Sequence, residues 1–496
     1  MQLTCASFFS RFVRQTLIQL SAVVVVSLTI GMSGCGPKPD PSEESADQAL
    51  QPSRMRVIVV DDGPFASALE QLWKARIENE LQLQQLTAEQ LEKAKQLNAD
   101  IVIYPSEFLG LLAERRLIAA PSDEGSPEAV RASTDVFELQ RRVEVLWGNS
   151  IMAYSFGSPQ FTLMYRADFF ASAKLSPPTT WTEYAELLPR LTREQLGAAA
   201  PAEGRTWSAA VEPLGKGWSG KVLLARAAAY ATHPSQFSTL FDCETMQPLI
   251  AGPPFVRALE ELKAATQHGP ANFVEQTPET ARQALLAGEA AMVLTWPSRA
   301  TSSGKPLSTA EGVQIGFAEL PGGETVFNFA EQIWSPKKSG ESAERIPLLA
   351  IAGRLASVTH NARRPREAAG ILQLMTGREW SGQMAPASVA TTAFRKSQLV
   401  ELKRWVDEGL TSEAVKQYGE VLESTQSRSS GMSCPRIPGA RRYMDVLDEA
   451  VTRACQGAVS SAEALTEAAT AWQKITEELG VEPQRKAYLH SLGLEP

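Results

Sequence analysis

The chain opens with one block of apolar positions, residues 17–30, centred on four consecutive valines at 23–26. Arg11 and Arg14 precede it, no acidic residue occurs through position 34, and small residues follow. Positive, then apolar, then small is the layout of a secretory signal. Gln19, Ser21, Ser27 and Thr29 interrupt the block, which falls short of the roughly 20 residues a comfortable membrane span needs. An uncleaved anchor helix is the competing reading. Residues 37–53 are rich in Pro, Ser, Glu and Asp with few apolar positions, the composition of a disordered tether.

From position 56 the pattern becomes periodic. Residues 56–60 are a short β-branched run ended by Asp61-Asp62-Gly63-Pro64. Leu69, Leu72, Trp73 and Ile77 share one helical face, and Leu81 and Leu83 alternate with Gln as in a strand. Leu91, Ala94 and Leu97 return to helical spacing, predicting a helix that runs to Gln96. Residues 101–104 predict a third strand and 107–116 another helix. This alternation predicts a parallel sheet covered by helices. Such sheets bind ligands beyond the carboxyl ends of their strands, where the loops at 61–62 and 105–107 lie. Strand signals recur at 144–156 and 161–165, separated by Gly157-Ser158-Pro159. Helices follow at 181–190, 220–231, 255–265 and 279–286, then strands at 291–295, 314–320 and 349–359. Beyond Pro365 the pattern is almost entirely helical, closing with amphipathic stretches at 439–455 and 461–479. There is no internal repeat.

Composition narrows the function. The net charge is −8, more negative once Arg11 and Arg14 leave with the signal, and no long basic run is present. That balance argues against nucleic acid as a partner. Roughly 440 ordered residues imply two or more domains. Cys5 leaves with the signal, and Cys243, Cys434 and Cys455 remain besides Cys35. Exported proteins permit disulfides, so Cys434 with Cys455 is one arrangement and unpaired or buried thiols are the other. No cysteine pair has C-x-x-C spacing, and His233, His268, His360 and His490 are scattered, so neither a metal site nor a cofactor is expected.

Gly31-Met32-Ser33-Gly34-Cys35-Gly36 resembles the bacterial lipobox, with Met32 where Leu is usual. The resemblance implies a signal peptide of 1–34, cleavage ahead of Cys35, and lipidation of that cysteine, with 35–53 as the tether. Two or more acyl chains give stable membrane anchoring. The anchored chain would stand on the periplasmic or cell-surface face of a bacterial membrane. Gly36 stands where an Asp would mark inner-membrane retention.

A second resemblance spans most of the chain from Arg56 onward. Its pieces are Asn98-Ala99-Asp100-Ile101-Val102 with the 111–118 segment LLAERRLI, then Phe156-Gly157-Ser158-Pro159. YRADFF at 165–170 and PPTTW at 177–181 follow, then GEAAM at 288–292 before Trp296-Pro297. Ile315-Gly316-Phe317 leads to Pro321-Gly322-Gly323, and two closing helices occupy 443–457 and 462–472. In order and spacing these resemble the extracellular solute-binding proteins of ABC importers, the family that includes maltose- and oligosaccharide-binding members. The resemblance implies an α/β, two-lobed periplasmic-binding-protein fold with a ligand cleft between lobes and a helical C-terminal region. Lobe one would comprise 54–158 and 320–376, and lobe two 159–319 and 377–496, joined by two or three crossovers. A monomer would close by hinge motion on a small polar solute, best described as a sugar or oligosaccharide, then dock on an ABC permease. No bond is made or broken. The segment Asn328-Phe329-Ala330-Glu331-Gln332 stands where many sugar binders carry a Gly-rich loop.

Sugars offer apolar C–H faces to aromatic rings and hydroxyls to carboxylates and amides, so the ten tryptophans are informative. Trp296 approaches the expected cleft, and Trp218, in Gly217-Trp218-Ser219-Gly220, either stacks on ligand or caps its own helix. Trp73, Trp181, Trp405 and Trp472 sit at helical spacing and are expected in the core. Asp61, Ser106 and Glu107 lie in loops facing the cleft, with helix capping as the alternative role. Glu331 is a candidate for hydroxyl contacts. Gly157 and Ser158 would offer backbone or hydroxyl groups at the crossover, though Gly-Ser-Pro is also an ordinary turn. Competing functions are an anchored glycosidase using paired carboxylates, an accessory protein of a sensor, and a binder of a non-sugar solute such as a polyamine. No nucleophile elbow, metal motif or phosphate loop supports an enzyme.

Overall fold

The computed structural model describes residues 54–121, 135–196, 204–336 and 344–495. The signal segment, the tether and Cys35 lie outside the described residues. Two sheets organise the rest. In the first, Met55–Val60 pairs in parallel with Leu81–Leu86 on one side and Ile101–Pro105 on the other. Arg354–Thr359 joins antiparallel to Ile101–Pro105 and also pairs with Ile118–Ala119 and Tyr154–Ser155. The central strands are buried on both faces, as expected where helices cover a sheet. Leu81–Leu86 is the edge strand, and its alternating Leu and Gln leave the glutamines exposed.

The second sheet runs Ile315–Ala318, Thr162–Arg166, Ala290–Thr295, Ser208–Val211. The chain crosses from the first sheet after Tyr154–Ser155 and enters the second at Thr162–Arg166. It returns after Ile315–Ala318 through a hairpin, Thr325–Asn328 with Ile333–Pro336, to reach Arg354–Thr359. A third crossing follows Arg378–Met384, whose Trp380 meets Trp73 edge-on at 6.5 Å. It leads to Ser412–Gln426, where Gln417 accepts the Phe317 N–H at 3.1 Å.

Several local expectations shift. The helix expected to reach Gln96 ends at Lys93, and 107–116 divides into a 3-10 turn at Ser106–Phe108 and a helix at Leu109–Glu114. The strand expected over 349–359 breaks into Leu348–Leu349 and Arg354–Thr359, because Ala350 and Gly353 take φ of 57° and 120°. The hairpin and the last helix, Val481–Ser491, are additions to the elements that the pattern predicts. The C-terminal helices Ala440–Cys455 and Ser461–Leu479 pack around Trp472, which is fully buried and donates its indole N–H to Tyr443 O at 2.7 Å. Val481–Ser491 reaches back to the first-sheet side, where His490 Nδ1 lies 2.7 Å from Glu114.

All four tryptophans expected in the core are buried. The Cys434–Cys455 bridge is not formed, and Cys243, Cys434 and Cys455 are free thiols. The helix Ala440–Cys455, about 24 Å long at 1.5 Å per residue, separates the pair. Burial pushes both thiols up to about 12.

Asp100 ties the start of two strands to the segment after a third. It accepts from Arg56 Nε at 3.0 Å and Nη2 at 2.7 Å, and from the Arg363 amide at 2.8 Å. Burial acts upward on this carboxyl, but the Arg56 and Arg363 hydrogen bonds outweigh it and hold Asp100 below its ordinary value. A depressed carboxylate contributes stability above its unfolded pKa and loses it as pH falls through the folded one. The urea midpoint should therefore drop as pH falls below about 4, and Asp100→Asn should flatten that acid limb while lowering stability at pH 7.

Candidate ligand cleft

Trp218 is placed by the turn Gly215-Lys216-Gly217, where Gly217 has φ of 85°. The residue stands at the N-cap of Ser219–Ala231, but its side chain makes no capping bond. Asp448, from Ala440–Cys455, caps instead. Its carboxylate accepts from Gly217 N at 2.7 Å, Gly220 N at 3.0 Å and Ser219 Oγ at 2.7 Å, a negative charge at the positive end of the helix dipole. Freed from capping, the Trp218 ring lies 5.6 Å from the Trp296 ring, and Phe161 contacts both, at 6.3 and 5.9 Å. Lys221 Nζ sits 4.6 Å from the Trp218 ring and donates to Ile351 O at 2.6 Å, linking this helix to the second crossing.

The tryptophan pair walls a cleft of about 400 Å³, within the range of small-molecule sites. Thr277, Pro278, Glu279 and Thr280, at the start of helix Pro278–Leu286, form a second wall with Arg282 and Ser302. Ala352, Val389 and Ala390, from the second and third crossings, form the rest. Both Glu279 carboxylate oxygens are engaged, accepting from Ser302 N and Oγ at 2.8 Å each. Arg282 is buried and pairs with Asp407 at 2.8 Å, while its other N–H groups reach Trp296 O at 3.3 Å and Ala300 O at 3.4 Å. That pair holds the loop carrying Trp296. Among the described residues no group of three His, Cys, Asp or Glu side chains is placed to hold a metal ion, and no helix is long and apolar enough to cross a membrane.

Of the candidates from sequence, the structure brings Trp218 and Trp296 together in this cleft. Ser106 does not line it but donates its hydroxyl to Ala352 O at 2.6 Å, bracing a wall residue. Gly157 and Ser158 lie in the first crossing, where Thr392 Oγ1 donates to Ser158 O at 3.1 Å. Asp61 takes a φ of 47° and accepts the Ala88 N–H at 2.8 Å, which is a capping role. Glu107 lies 4.0 Å from Arg441, outside the lining. Glu331 is exposed on the hairpin turn, its N–H donating to Asn328 Oδ1. Phe161, Lys221 and Glu279 join the site without having stood out in the sequence. Thr277-Pro278-Glu279-Thr280 carries a helix-start signal, but nothing local tells that this helix end faces a ligand site.

Two sheets joined by three crossings, with an aromatic cleft at the crossings, define the two-lobed binding-protein class. The family model for bacterial extracellular solute-binding proteins matches residues 80–345, more than half of the chain, and the chain belongs to that family. Similar solved structures include the ABC transporter solute binding protein from Agrobacterium radiobacter K84 in complex with ribitol. It is 18% identical, with 85% of this chain and 98% of that one covered at a TM-score of 0.61. Maltose-bound T. maritima MalE3 is 16% identical, with coverage of 85% and 100% and a TM-score of 0.60. The sugar-binding protein MalE from Xanthomonas citri is 16% identical, with 86% and 98% covered, also at 0.60. At such identities the likeness is one of fold. No curated protein matches the sequence.

Proposed function

We propose that this protein captures a neutral polyhydroxylated solute, a sugar or a polyol, between two lobes and delivers it to an ABC importer. The observation that carries the reading is the Trp218–Trp296 wall in a cleft built from the second sheet and the crossings. Aromatic faces suit the C–H faces of a sugar ring or polyol chain, and the neighbouring hydroxyls of Thr277, Thr280 and Ser302 suit its oxygens. The relatives' structures with ribitol and with maltose support that class. A polyamine is disfavoured because the side-chain amine of Lys221 stands beside Trp218 and Glu279 is the single carboxylate among the lining residues. The lobes we assign are 54–158 with 320–376, and 159–319 with 377–496. A ligand touching both shifts the hinge towards closure in proportion to its differential affinity for the closed form. No catalysis is assigned, and Cys35 is assigned as the lipid anchor that keeps the protein beside its permease.

A thermal-shift panel of maltose, ribitol, mannitol and spermidine tests this, because a ligand selective for the native state raises the melting temperature. One or more of the three neutral compounds should stabilise the protein. Stabilisation by spermidine alone would sink the assignment.

A further inference from the structure

One end of the first sheet is basic. There the amino ends of Met55–Val60, Leu81–Leu86 and Ile101–Pro105 meet the carboxyl end of Arg354–Thr359. Hydrogen bonds tie the flanking loops into one surface. Met55 N donates to Glu80 O at 2.9 Å, Asp100 N to Arg56 O at 2.8 Å, and His360 N to Leu117 O at 2.9 Å. The Arg363 N–H reaches the Asp100 carboxylate at 2.8 Å, and Asn361 Nδ2 reaches Leu97 O at 3.4 Å. Most carboxylates here are engaged, Glu80 by Arg54 at 2.7 Å, Asp100 by Arg56 at 2.7 Å and Glu367 by Arg364 at 3.2 Å. Glu114 is held by Trp147 and His490 at 2.8 and 2.7 Å. Lys95, Arg115, Arg116, Arg363 and Arg366 are exposed on the same loops, and none of them forms an ion pair among the described residues. Exposed Glu78 stands against them. In a chain of net charge −8, this is a local reversal of sign.

Two features decide what such a surface meets. The described chain starts at Arg54, on this end of the sheet. The stretch from Cys35 to Arg54 spans at most about 65 Å even fully extended, so an anchored Cys35 keeps this end near its bilayer. The cleft lies off the other end, where Ser106, just past the carboxyl end of Ile101–Pro105, braces wall residue Ala352. We propose that the basic end of the first sheet is a membrane-facing surface that takes the headgroups of anionic phospholipids. This rests on the assignment of Cys35 as the lipid anchor. Each Lys or Arg near an anionic bilayer adds to attachment, and a guanidinium grips phosphate oxygens in pairs. A basic patch beside a lipid chain is a second attachment signal, here one that leaves the cleft open to solute.

The test uses the whole chain as a bacterial host processes it, mixed with vesicles of phosphatidylcholine alone or with about one-third phosphatidylglycerol. Through its anchor the protein should float with both. Amides of residues 93–97 and 360–367 should exchange hydrogen at least about fivefold slower on the phosphatidylglycerol vesicles. Those of 277–282, in the cleft, should exchange alike on both. Salt at about 1 M, which cuts the Debye length to about 3 Å, should abolish the protection. So should Lys95→Gln, Arg363→Gln and Arg366→Gln made together. Arg363→Lys with Arg366→Lys should keep it, since a bilayer reads charge. Equal exchange on both vesicles overturns this surface and leaves the anchor standing. Protection that survives in the Gln variant, or is lost in the Lys variant, does the same. Flotation with neither kind overturns the surface and the anchor together. Flotation and protection on the phosphatidylglycerol vesicles alone keep the surface and overturn the anchor.

Discussion

Replacing Arg282 with alanine should cost about 3–5 kcal/mol of folding stability, the usual penalty for removing one partner of a buried ion pair. Arg282 and Asp407 have side chains only 3% and 0% exposed. The variant leaves a buried carboxylate whose remaining donor is the Ser298 N–H at 3.2 Å, and it takes away donors from Trp296 O and Ala300 O. Burial lifts the Asp407 carboxyl above its ordinary value, and Arg282 pulls it back. Without Arg282 that restraint disappears and the acid form gains. A carboxyl with a raised folded pKa stabilises below its unfolded value, about 4, and loses that contribution as pH rises through the folded one. The deficit of Arg282→Ala in urea unfolding should therefore be smaller at pH 5 than at pH 8. A joint Arg282→Met, Asp407→Leu replacement should recover most of the loss, because a packed apolar pair avoids both desolvation costs. A deficit under about 1 kcal/mol at pH 8 would show that the pair is not what holds the Trp296 loop.

Gly157→Ala should be the most damaging small substitution at the crossings. Gly157 has φ of 101°, and a Cβ there would stand 2.1 Å from the Thr392 carbonyl oxygen. Both partners are backbone, and hydrogen bonds hold the Gly157 side in place. Arg354 N donates to Gly157 O at 3.1 Å, and Phe156 N donates to Arg354 O at 2.9 Å. Backbone strain of about 1–2 kcal/mol adds to overpacking of about 1–3 kcal/mol. Gly312 separates the two effects. Its φ is 76° with nothing within 4 Å of a new Cβ, so Gly312→Ala should cost the strain alone. Because the clash pushes the first crossing away from the third, Gly157→Ala should also weaken solute binding, and Gly312→Ala should not. Equal melting temperatures for the two variants would show that the contact with Thr392 yields easily.

Part of the site is legible in the sequence. Trp218 stands between glycines at a helix start, and Trp296 follows a strand, both places where a chain turns out of its own layer. The roles of the acidic candidates are not legible there. Asp61 occupies a loop suited to ligand contact, but its left-handed turn aims the carboxylate at the Ala88 N–H. Glu107 and Glu331 occupy similar loops that fold outside the cleft lining. Cys434 and Cys455 are close in sequence, yet a helix holds them apart.

By itself the sequence determined most of the order of elements, the covered parallel strands of the first sheet and the amphipathic helices at 440–455 and 461–479. These follow from spacing of apolar side chains over a few residues, which each segment carries locally. Only the tertiary structure decided which polar groups meet. Asp448 reaches a helix start 229 positions away through Ser219, and Arg282 finds Asp407 across 125 positions. Such pairings depend on three crossings coming together, and no local period encodes that distance. The cleft and its aromatic wall exist only once those crossings are assembled.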